Sequence, residues 1–407
     1  MKVCVVGLGW MGLPIAALFS EGGNEVTGLD VNAELVERIN KLDIQRDEAG
    51  LKEILEKHPI KATTNPEEAI PDADAIVIIV PLIVNDDKSI NYSIIDDAVS
   101  KAAEHMKDGA LVVMETTMPI GACRKRVAPI LEKSGKQFLL AYAPIRAMSR
   151  SAIGDMREKY SRILGALDDE SMQKAEELMK TFFKNEIIKL PLEEAEAVKL
   201  YEVVYRDVNI ALANELGMIS EELGLDYRRV KEAANSCGYY HLHDTGIGVG
   251  GHCLPVYPYL ILNEVKKDHG LIRKAREIND HMPQHVAETI EKLGAKAVTI
   301  YGVSYRKDTS ECRFSPAFEL ARILKAKGVV VKLCDPNISD ESLSRWGEPV
   351  SVDGGLSSGV LVFVVGHLEF KGIEAKIPES ATVIDMNKVL DEEKIKGRYF
   401  LAGRGPR

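Results

Sequence analysis

The first apolar run of the chain, Val3–Val6, breaks directly into Gly7-Leu8-Gly9-Trp10-Met11-Gly12, and Leu13–Ser20 continues as a helix. A strand that turns through glycines at G-x-G-x-x-G spacing into a helix is the entry to a parallel α/β sheet and a cradle for a dinucleotide. Gly7 permits the tight turn, Gly9 lets a pyrophosphate approach the backbone, and Gly12 lets the helix pack closely on the strand. The helix N-terminus then faces the phosphates. Trp10 and Met11 complete the loop. A second strand, Glu25–Asp30, ends on a carboxylate about 20 residues downstream, where ribose hydroxyls are bound in such folds. Asp30 would repel a 2′-phosphate and no arginine follows at once, so the loop favours NAD over NADP. The alternative is a glycine-rich turn with a surface aspartate.

The rest of the chain extends this pattern and then interrupts it. Its 407 residues are enough for two or three domains. Ala75–Val80 and Leu111–Glu115 are continuous apolar runs, suited to a sheet covered on both faces. From Leu192 to about Leu223 there is no proline, and Gly217 is the one glycine. Ala197, Leu200, Val204, Val208 and Ala211 recur at helical spacing, which predicts one long helix that connects domains or forms a dimer seam. Further helical sequence is broken by Gly238–Pro258. The alternation then restarts: Ala297–Tyr301, Val329–Leu333, Val360–Val365 and Thr382–Asp385 read as strands, with Ala317–Lys327 as an intervening helix. The expected fold class is α/β, with two Rossmann-like doubly wound domains (1–191 and 295–407) joined by a helical domain (192–294) that carries the long helix.

Composition excludes some functions. The formal charge of −10 argues against a nucleic-acid binder, which needs basic surface, but permits a local cationic pocket for a small anion. Six cysteines (Cys4, Cys123, Cys237, Cys253, Cys312, Cys334) show no C-x-x-C spacing and fit a reducing cytoplasm. The uncharged stretch Val3–Phe19 is interrupted by three glycines and Pro14. Ala75–Val84 is too short to cross a bilayer. A soluble protein without a membrane anchor is expected.

Gly246-Ile247-Gly248-Val249-Gly250-Gly251-His252-Cys253-Leu254-Pro255 is the most unusual segment. Glycines at this density allow close approach of a ligand or a tight loop. Pro258 suits the first position of a following helix, which would place Cys253 near a helix N-terminus where thiolate is favoured. The residue is then a candidate nucleophile toward a carbonyl carbon; the other reading is a small buried hydrophobe. Cys237, His241, His243, His252 and Cys253 are zinc-competent residues, but their spacing matches no usual structural site, and no metal is expected. Lys199, on the long helix, is either solvated or, in a dry pocket, a partner for an alkoxide or a proton acceptor.

Taken in order, these segments resemble the nucleotide-sugar 6-dehydrogenases, the UDP-glucose and UDP-N-acetylmannosamine dehydrogenase family, across essentially the whole chain. Gly7–Gly12 with Asp30 looks like the family's NAD loop, and Glu115-Thr116-Thr117-Met118-Pro119-Ile120-Gly121 like its E-S-T-x-P-x-G segment. Lys199 opens a helix similar to the K-L-x-x-N helix. Arg206-Asp207-Val208-Asn209-Ile210-Ala211 and Asn214-Glu215-Leu216 follow the style of the N-acetylmannosamine branch. Gly250–Pro255 resembles the catalytic-cysteine motif. Tyr305-Arg306-Lys307-Asp308 through Arg313-Phe314-Ser315-Pro316 resembles the nucleotide-contacting segment of the C-terminal domain.

The resemblance implies NAD-dependent oxidation of C6 of a nucleotide-linked, UDP-N-acetylmannosamine-like sugar to the uronic acid, through a thiohemiacetal and a thioester on Cys253. It implies Cys253, Lys199 and Thr117 as catalytic residues. Gly7, Gly9, Trp10, Met11, Gly12, Asp30, Pro81 and Thr117 would contact NAD. Arg146, Lys199, Asn209, Gly250, Gly251, His252, Arg306 and Arg313 would contact substrate. It also implies a homodimer formed through the central helices. The sequence departs from the family pattern at several positions. P-E-R reads Pro144-Ile145-Arg146, the asparagine after the lysine is Val203, and the aspartate after the cysteine motif is Tyr257. V-P-T-P reads Val80-Pro81-Leu82-Ile83, and an arginine is replaced within Tyr239-Tyr240-His241. Glu115, Tyr257, His241 and His243 are then candidates to assist thioester hydrolysis. The alternatives are a two-electron oxidoreductase or a non-catalytic nucleotide-sugar-binding protein on the same scaffold.

Overall fold

The structure, a computed structural model, describes residues 1–44, 48–85, 87–267 and 269–406. The chain divides into two compact units, Met1–Glu202 with Tyr259–Lys266, and Val203–Pro258 with Lys267–Arg407. The helical stretch between the two sheets is therefore shared between the units.

The first unit is built on an eight-stranded sheet. Its strands are β1 (Lys2–Val6), β2 (Glu25–Leu29), β3 (Lys61–Thr63), β4 (Ala75–Ile78), β5 (Ala110–Met114), β6 (Phe138–Tyr142), β7 (Arg162–Ala166) and β8 (Ile187–Pro191), in the order β8-β7-β6-β5-β4-β1-β2-β3. Neighbours are parallel except β6 and β7, so the last two strands run against the rest. The 3-2-1-4-5-6 order reverses direction at β1, the place where such sheets bind dinucleotides. Alternation of side chains explains why the strands are apolar throughout. Val3, Val5, Val77 and Val113 face one core, while Cys4, Val6, Ile78 and Val112 face the other.

The second unit repeats the plan. Strands β9 (Ala297–Tyr301), β10 (Val330–Cys334), β11 (Glu348–Pro349), β12 (Val360–Phe363), β13 (Thr382–Asp385), β14 (Arg398–Leu401) and β15 (Gly405–Pro406) lie in the order β11-β10-β9-β12-β13-β14-β15. All pairs are parallel except β14 with β15. Val298 and Ile300 face one core, and Tyr301, Leu361 and Phe363 the other. The α/β class with a doubly wound sheet at each end of the chain is as the sequence predicts. So is the long helix, which spans Leu192–Glu222 as one 31-residue element. Among the described residues no helix is long and apolar enough to cross a membrane.

Candidate active site

At the end of β1 in the first unit, each glycine of the loop does a different job. Gly7 has φ +94°, a conformation side chains rarely adopt, and its N–H donates to Leu29 O at 2.8 Å. A Cβ on Gly12 would stand 1.9 Å from Gly7 O, whereas one on Gly9 would meet no atom within 4 Å. Leu8 between them is fully buried, packed where a side chain on Gly28 of β2 would stand. Its burial, about 2 kcal/mol, anchors the loop to the sheet. The helix Gly12–Glu21 begins with no side-chain cap and no acidic residue in its first turn. Asp30 follows β2, accepting from Leu8 N–H at 2.7 Å through Oδ2 and from Asn32 N–H at 2.9 Å through Oδ1. An open glycine, an uncapped helix start and a half-buried strand-end carboxylate fit the pyrophosphate and ribose of NAD. Trp10 is exposed, Met11 is half-buried, and Pro81 is exposed beyond β4.

Beyond β5, the first unit holds Glu115, Thr116 and Thr117. Thr116 Oγ1 donates to Val80 O at 2.6 Å, and Thr117 is buried. Glu115 is buried against the Arg162 guanidinium. Burial raises its carboxyl pKa, and Arg162 opposes that shift. Its Oε1 is thus paired with Arg162, while its Oε2 is buried with no hydrogen-bond partner among the described residues. Glu196, fully buried, accepts from Gly121 N–H and, at 2.8 Å, from Cys123 N–H. This fastens the first turns of the long helix to the Thr117–Gly121 segment. Lys199 is half-buried one turn later. Arg146 pairs with Glu202 at 2.7 Å and donates to Ser161 O at 2.9 Å, and Ile145 lies in the core.

The glycine–cysteine loop belongs to the second unit. Gly248 has φ +106°, and a Cβ there would stand 2.4 Å from Asn279 O. Side chains on Gly250 and Gly251 would meet Tyr305 at 2.9 and 3.0 Å, so the room these glycines leave is filled by the Tyr305 side chain. Gly251 N–H donates to Arg313 O at 2.8 Å, and Arg313 Nη1 lies 3.3 Å from His252 Nδ1. Cys253 is half-buried, and its carbonyl accepts from Tyr257 N–H at 2.8 Å. The helix that follows starts at Tyr257, so Pro258 is its second residue and not its first.

A buried polar chain holds this loop. Arg276 Nη1 donates to Asp207 Oδ1 at 2.6 Å and to Leu254 O, beside Cys253, at 3.4 Å. Asn279 Nδ2 donates to Asp207 Oδ1 at 2.8 Å, Asn214 Nδ2 to Asn279 Oδ1 at 3.0 Å, and Gly246 N–H to Asn214 Oδ1 at 2.9 Å. Burial raises the Asp207 carboxyl pKa, while the Arg276 guanidinium and the Asn279 amide oppose it. Two helices, Leu192–Glu222 and Gly270–Lys292, thus grip both ends of the loop.

The chain was compared with known proteins. Three models of the UDP-glucose/GDP-mannose dehydrogenase family match in order: the NAD binding domain over residues 1–183, the central domain over 193–281 and the UDP binding domain over 299–392. A UDP-N-acetyl-D-mannosamine dehydrogenase of Pyrococcus horikoshii is 33% identical over 100% of both chains. The chain belongs to the UDP-glucose/GDP-mannose dehydrogenase family. A solved structure described as a UDP-D-ManNAc dehydrogenase from Pyrococcus horikoshii superposes with a TM-score of 0.91 at 33% identity, covering 100% of both chains. An NDP-N-acetyl-D-galactosaminuronic acid dehydrogenase of Ralstonia solanacearum is 31% identical over 94% of this chain and 95% of its own. As a family member the protein is an NAD-dependent nucleotide-sugar dehydrogenase, as the resemblance implies.

Several family-like residues occupy roles their motifs do not reveal. Asn209 Nδ2 turns back to Tyr205 O of its own helix at 2.7 Å. Val203, in place of the family's asparagine, is buried. His241 and His243 stack edge-to-face at 5.5 Å, and among the described residues no group of three His, Cys, Asp or Glu side chains could hold a metal ion. Arg276 and Asn279 escaped the sequence reading. Their signal was present: both sit in the buried register of an amphipathic helix with Met282, Val286 and Ile290.

Gly12→Ala is expected to destabilise the first unit by about 3 kcal/mol, because the new methyl meets backbone. Gly9→Ala should keep the wild-type melting temperature yet raise KM for NAD. Denaturant unfolding and initial rates separate the two. Arg276→Met leaves Asp207 buried and uncompensated and should cost about 3–5 kcal/mol. Adding Asp207→Leu should restore most of the melting temperature but not kcat, since the loop anchor at Leu254 O stays lost.

Proposed function

We propose that the protein oxidises C6 of UDP-N-acetylmannosamine to the uronic acid, with two NAD reduced per sugar. Gly7, Gly9, Trp10, Met11, Gly12, Asp30, Pro81 and Thr117 would hold NAD, which supplies the hydride acceptor when bound. Lys199, with Thr117, acts on the C6 hydroxyl: its amine accepts the proton in the first oxidation, or its ammonium stabilises the oxyanion afterwards. The Cys253 thiolate adds to the aldehyde carbon, and the tetrahedral thiohemiacetal can lose the second hydride to become a thioester. Water then cleaves the C–S bond, releasing the carboxylate and the thiol. Arg146, His252, Arg306 and Arg313 supply the cationic and polar contacts to an anionic nucleotide sugar, while Gly250 and Gly251 shape the loop and Asn209 lies on the adjoining helix. The three-part division at 191/192 and 294/295 accompanies this reading. The observation that carries it is the half-buried Cys253 on a loop locked by four buried polar side chains, in a chain related along its whole length to UDP-N-acetyl-D-mannosamine dehydrogenases.

One observation favours a second reading. Ile145, where the family pattern has a glutamate, carries no carboxylate, and Glu115 is buried with one oxygen on Arg162, so the carboxylate expected beside the hydrolytic water is missing. A site that stops after one oxidation would give one NADH and a carbonyl product. A panel of nucleotide sugars, with NADH counted per sugar and the product identified, decides. Two NADH and a uronic acid are expected from UDP-N-acetylmannosamine, with net oxidation lost in Cys253→Ser. One NADH establishes the two-electron reading, and ligand binding without any NADH a non-catalytic protein.

The assembly proposed is a homodimer in the cytoplasm. Tyr205, Leu212 and Ile219 recur every seven residues along the long helix and are 64%, 44% and 44% exposed, with Leu223 one turn on at 65%. Such a stripe suits the same helix of a second copy. All six cysteines are free thiols, in keeping with a reducing compartment. Leu212→Glu with Ile219→Glu should convert a dimer to a monomer in size-exclusion chromatography with light scattering. A wild-type monomer would refute the assembly.

A further inference from the structure

The two sheets close their first turns in the same way. In the first, Gly7 N–H donates to Leu29 O (2.8 Å), and Asp30 accepts from Leu8 N–H (2.7 Å) and Asn32 N–H (2.9 Å). In the second, Gly302 N–H donates to Cys334 O (2.8 Å), and Asp335 accepts from Val303 N–H (2.7 Å) and Asn337 N–H (2.9 Å). The carboxylates differ in what else they touch. Asp30 is half-buried. Asp335 is buried beneath His367, whose Nε2 lies 3.0 Å from its Oδ2.

The hydrogen bonds fix the state of the His367 ring. Its Nδ1 receives the backbone N–H of Asp308 at 2.9 Å, and a backbone amide can only donate. Nδ1 is therefore the acceptor, and Nε2 carries the proton. Nε2–H faces Asp335 Oδ2 and, at 3.2 Å, Ser304 Oγ, whose own hydroxyl donates to Arg306 O at 2.8 Å. The charged groups facing the ring are Asp335 and Asp308, the latter with Oδ1 3.8 Å from Nδ1. Burial works against charge on Asp335, but His367 and the surrounding amides hold its carboxyl below its ordinary range.

The turn so held is under backbone strain. Phe314 has φ +51°, in a left-handed region unfavourable for a bulky side chain, and Asp308 has φ +56°, in the same region, which aspartate visits more readily. Such conformations persist where surrounding contacts over-determine them. This turn carries Arg306 and leads to Arg313, whose carbonyl anchors Gly251.

We propose that His367 is a positioning residue for the substrate nucleotide: by accepting the Asp308 amide and capping Asp335, it closes the strand-end carboxylate to a ribose and fixes the Ser304–Arg313 turn that receives the nucleotide. This rests on the nucleotide-sugar reading above. Recognition in the second unit then runs through the turn's cations and amides, while the open carboxylate at Asp30 serves the dinucleotide.

UDP affinity is measured by calorimetry, with KM for NAD as the control, in full-length variants checked by circular dichroism and melting. His367→Gln reaches toward Asp335 but leaves the Asp308 amide without its acceptor. Its Kd for UDP should rise about tenfold while KM for NAD stays within twofold. His367→Asn, with an amide oxygen where Nδ1 stood, should recover most of the loss. Ser304→Ala, which removes the shorter of the two hydroxyl bonds to the Arg306 carbonyl and a partner of the His367 ring, should also weaken UDP. A folded His367→Gln that binds UDP within twofold of wild type overturns the proposal. So do equal losses for UDP and NAD, or a His367→Asn as weak as His367→Gln. If His367→Gln does not fold, unchanged UDP affinity in Ser304→Ala overturns it instead. A wild-type protein that neither binds UDP nor oxidises any nucleotide sugar refutes the underlying reading as well.

Discussion

The Arg276–Asp207 ion pair is the interaction on which the cysteine loop depends. A buried arginine and a buried aspartate each lose several kcal/mol of hydration, and only close pairing with further hydrogen bonds restores it. Here the further bonds are supplied by Asn279, Asp280 and the loop carbonyl of Leu254, and Asn214 in turn holds Asn279. An apolar pair of similar size could hold the two helices together equally well. It could not specify where the backbone of residues 246–254 must run, because apolar contacts carry no direction.

The same economy appears at the sheet ends. A glycine at positive φ, a backbone bond to the neighbouring strand and an aspartate capping the next amide recur at Gly7–Asp30 and Gly302–Asp335. One turn leaves its carboxylate half-buried beside an open glycine. The other covers it with an imidazole. A single local geometry thus yields two different sites, and the difference lies in one side chain contributed from beyond a third strand.

Much of this was legible in the residues, and the limits have physical reasons. Strands flanked by core on both faces declare themselves as unbroken apolar runs, as Ala75–Ile78 and Ala110–Met114 do. Strands β7 and β8 do not. One opens on Arg162, whose charge is paired with Glu115 from the segment after β5, and the other lies half-exposed at the sheet edge with Lys189 in it. Asp30 was readable because it stands at a set offset from a glycine motif, at the end of a strand. Arg276, Asn279 and His367 belong to no such motif, and most of their partners lie 22 to 72 residues away in sequence. Glu115 likewise gives no local sign of its guanidinium partner, 47 residues downstream.

The packing of Tyr305 on Gly250 and Gly251 has an evolutionary corollary. The tyrosine's Cβ lies 2.9 Å from where a first carbon on Gly250 would stand, and its ring 3.0 Å from one on Gly251. Neither partner can then change alone. A larger residue at 250 would also meet the Phe314 carbonyl and Pro316, one at 251 would need a strained backbone, and a smaller residue at 305 opens a void beside the Cys253 loop. The glycine pair and a tyrosine more than fifty positions downstream should be retained together, so that the loop's composition is inherited jointly with that of a segment far along the chain.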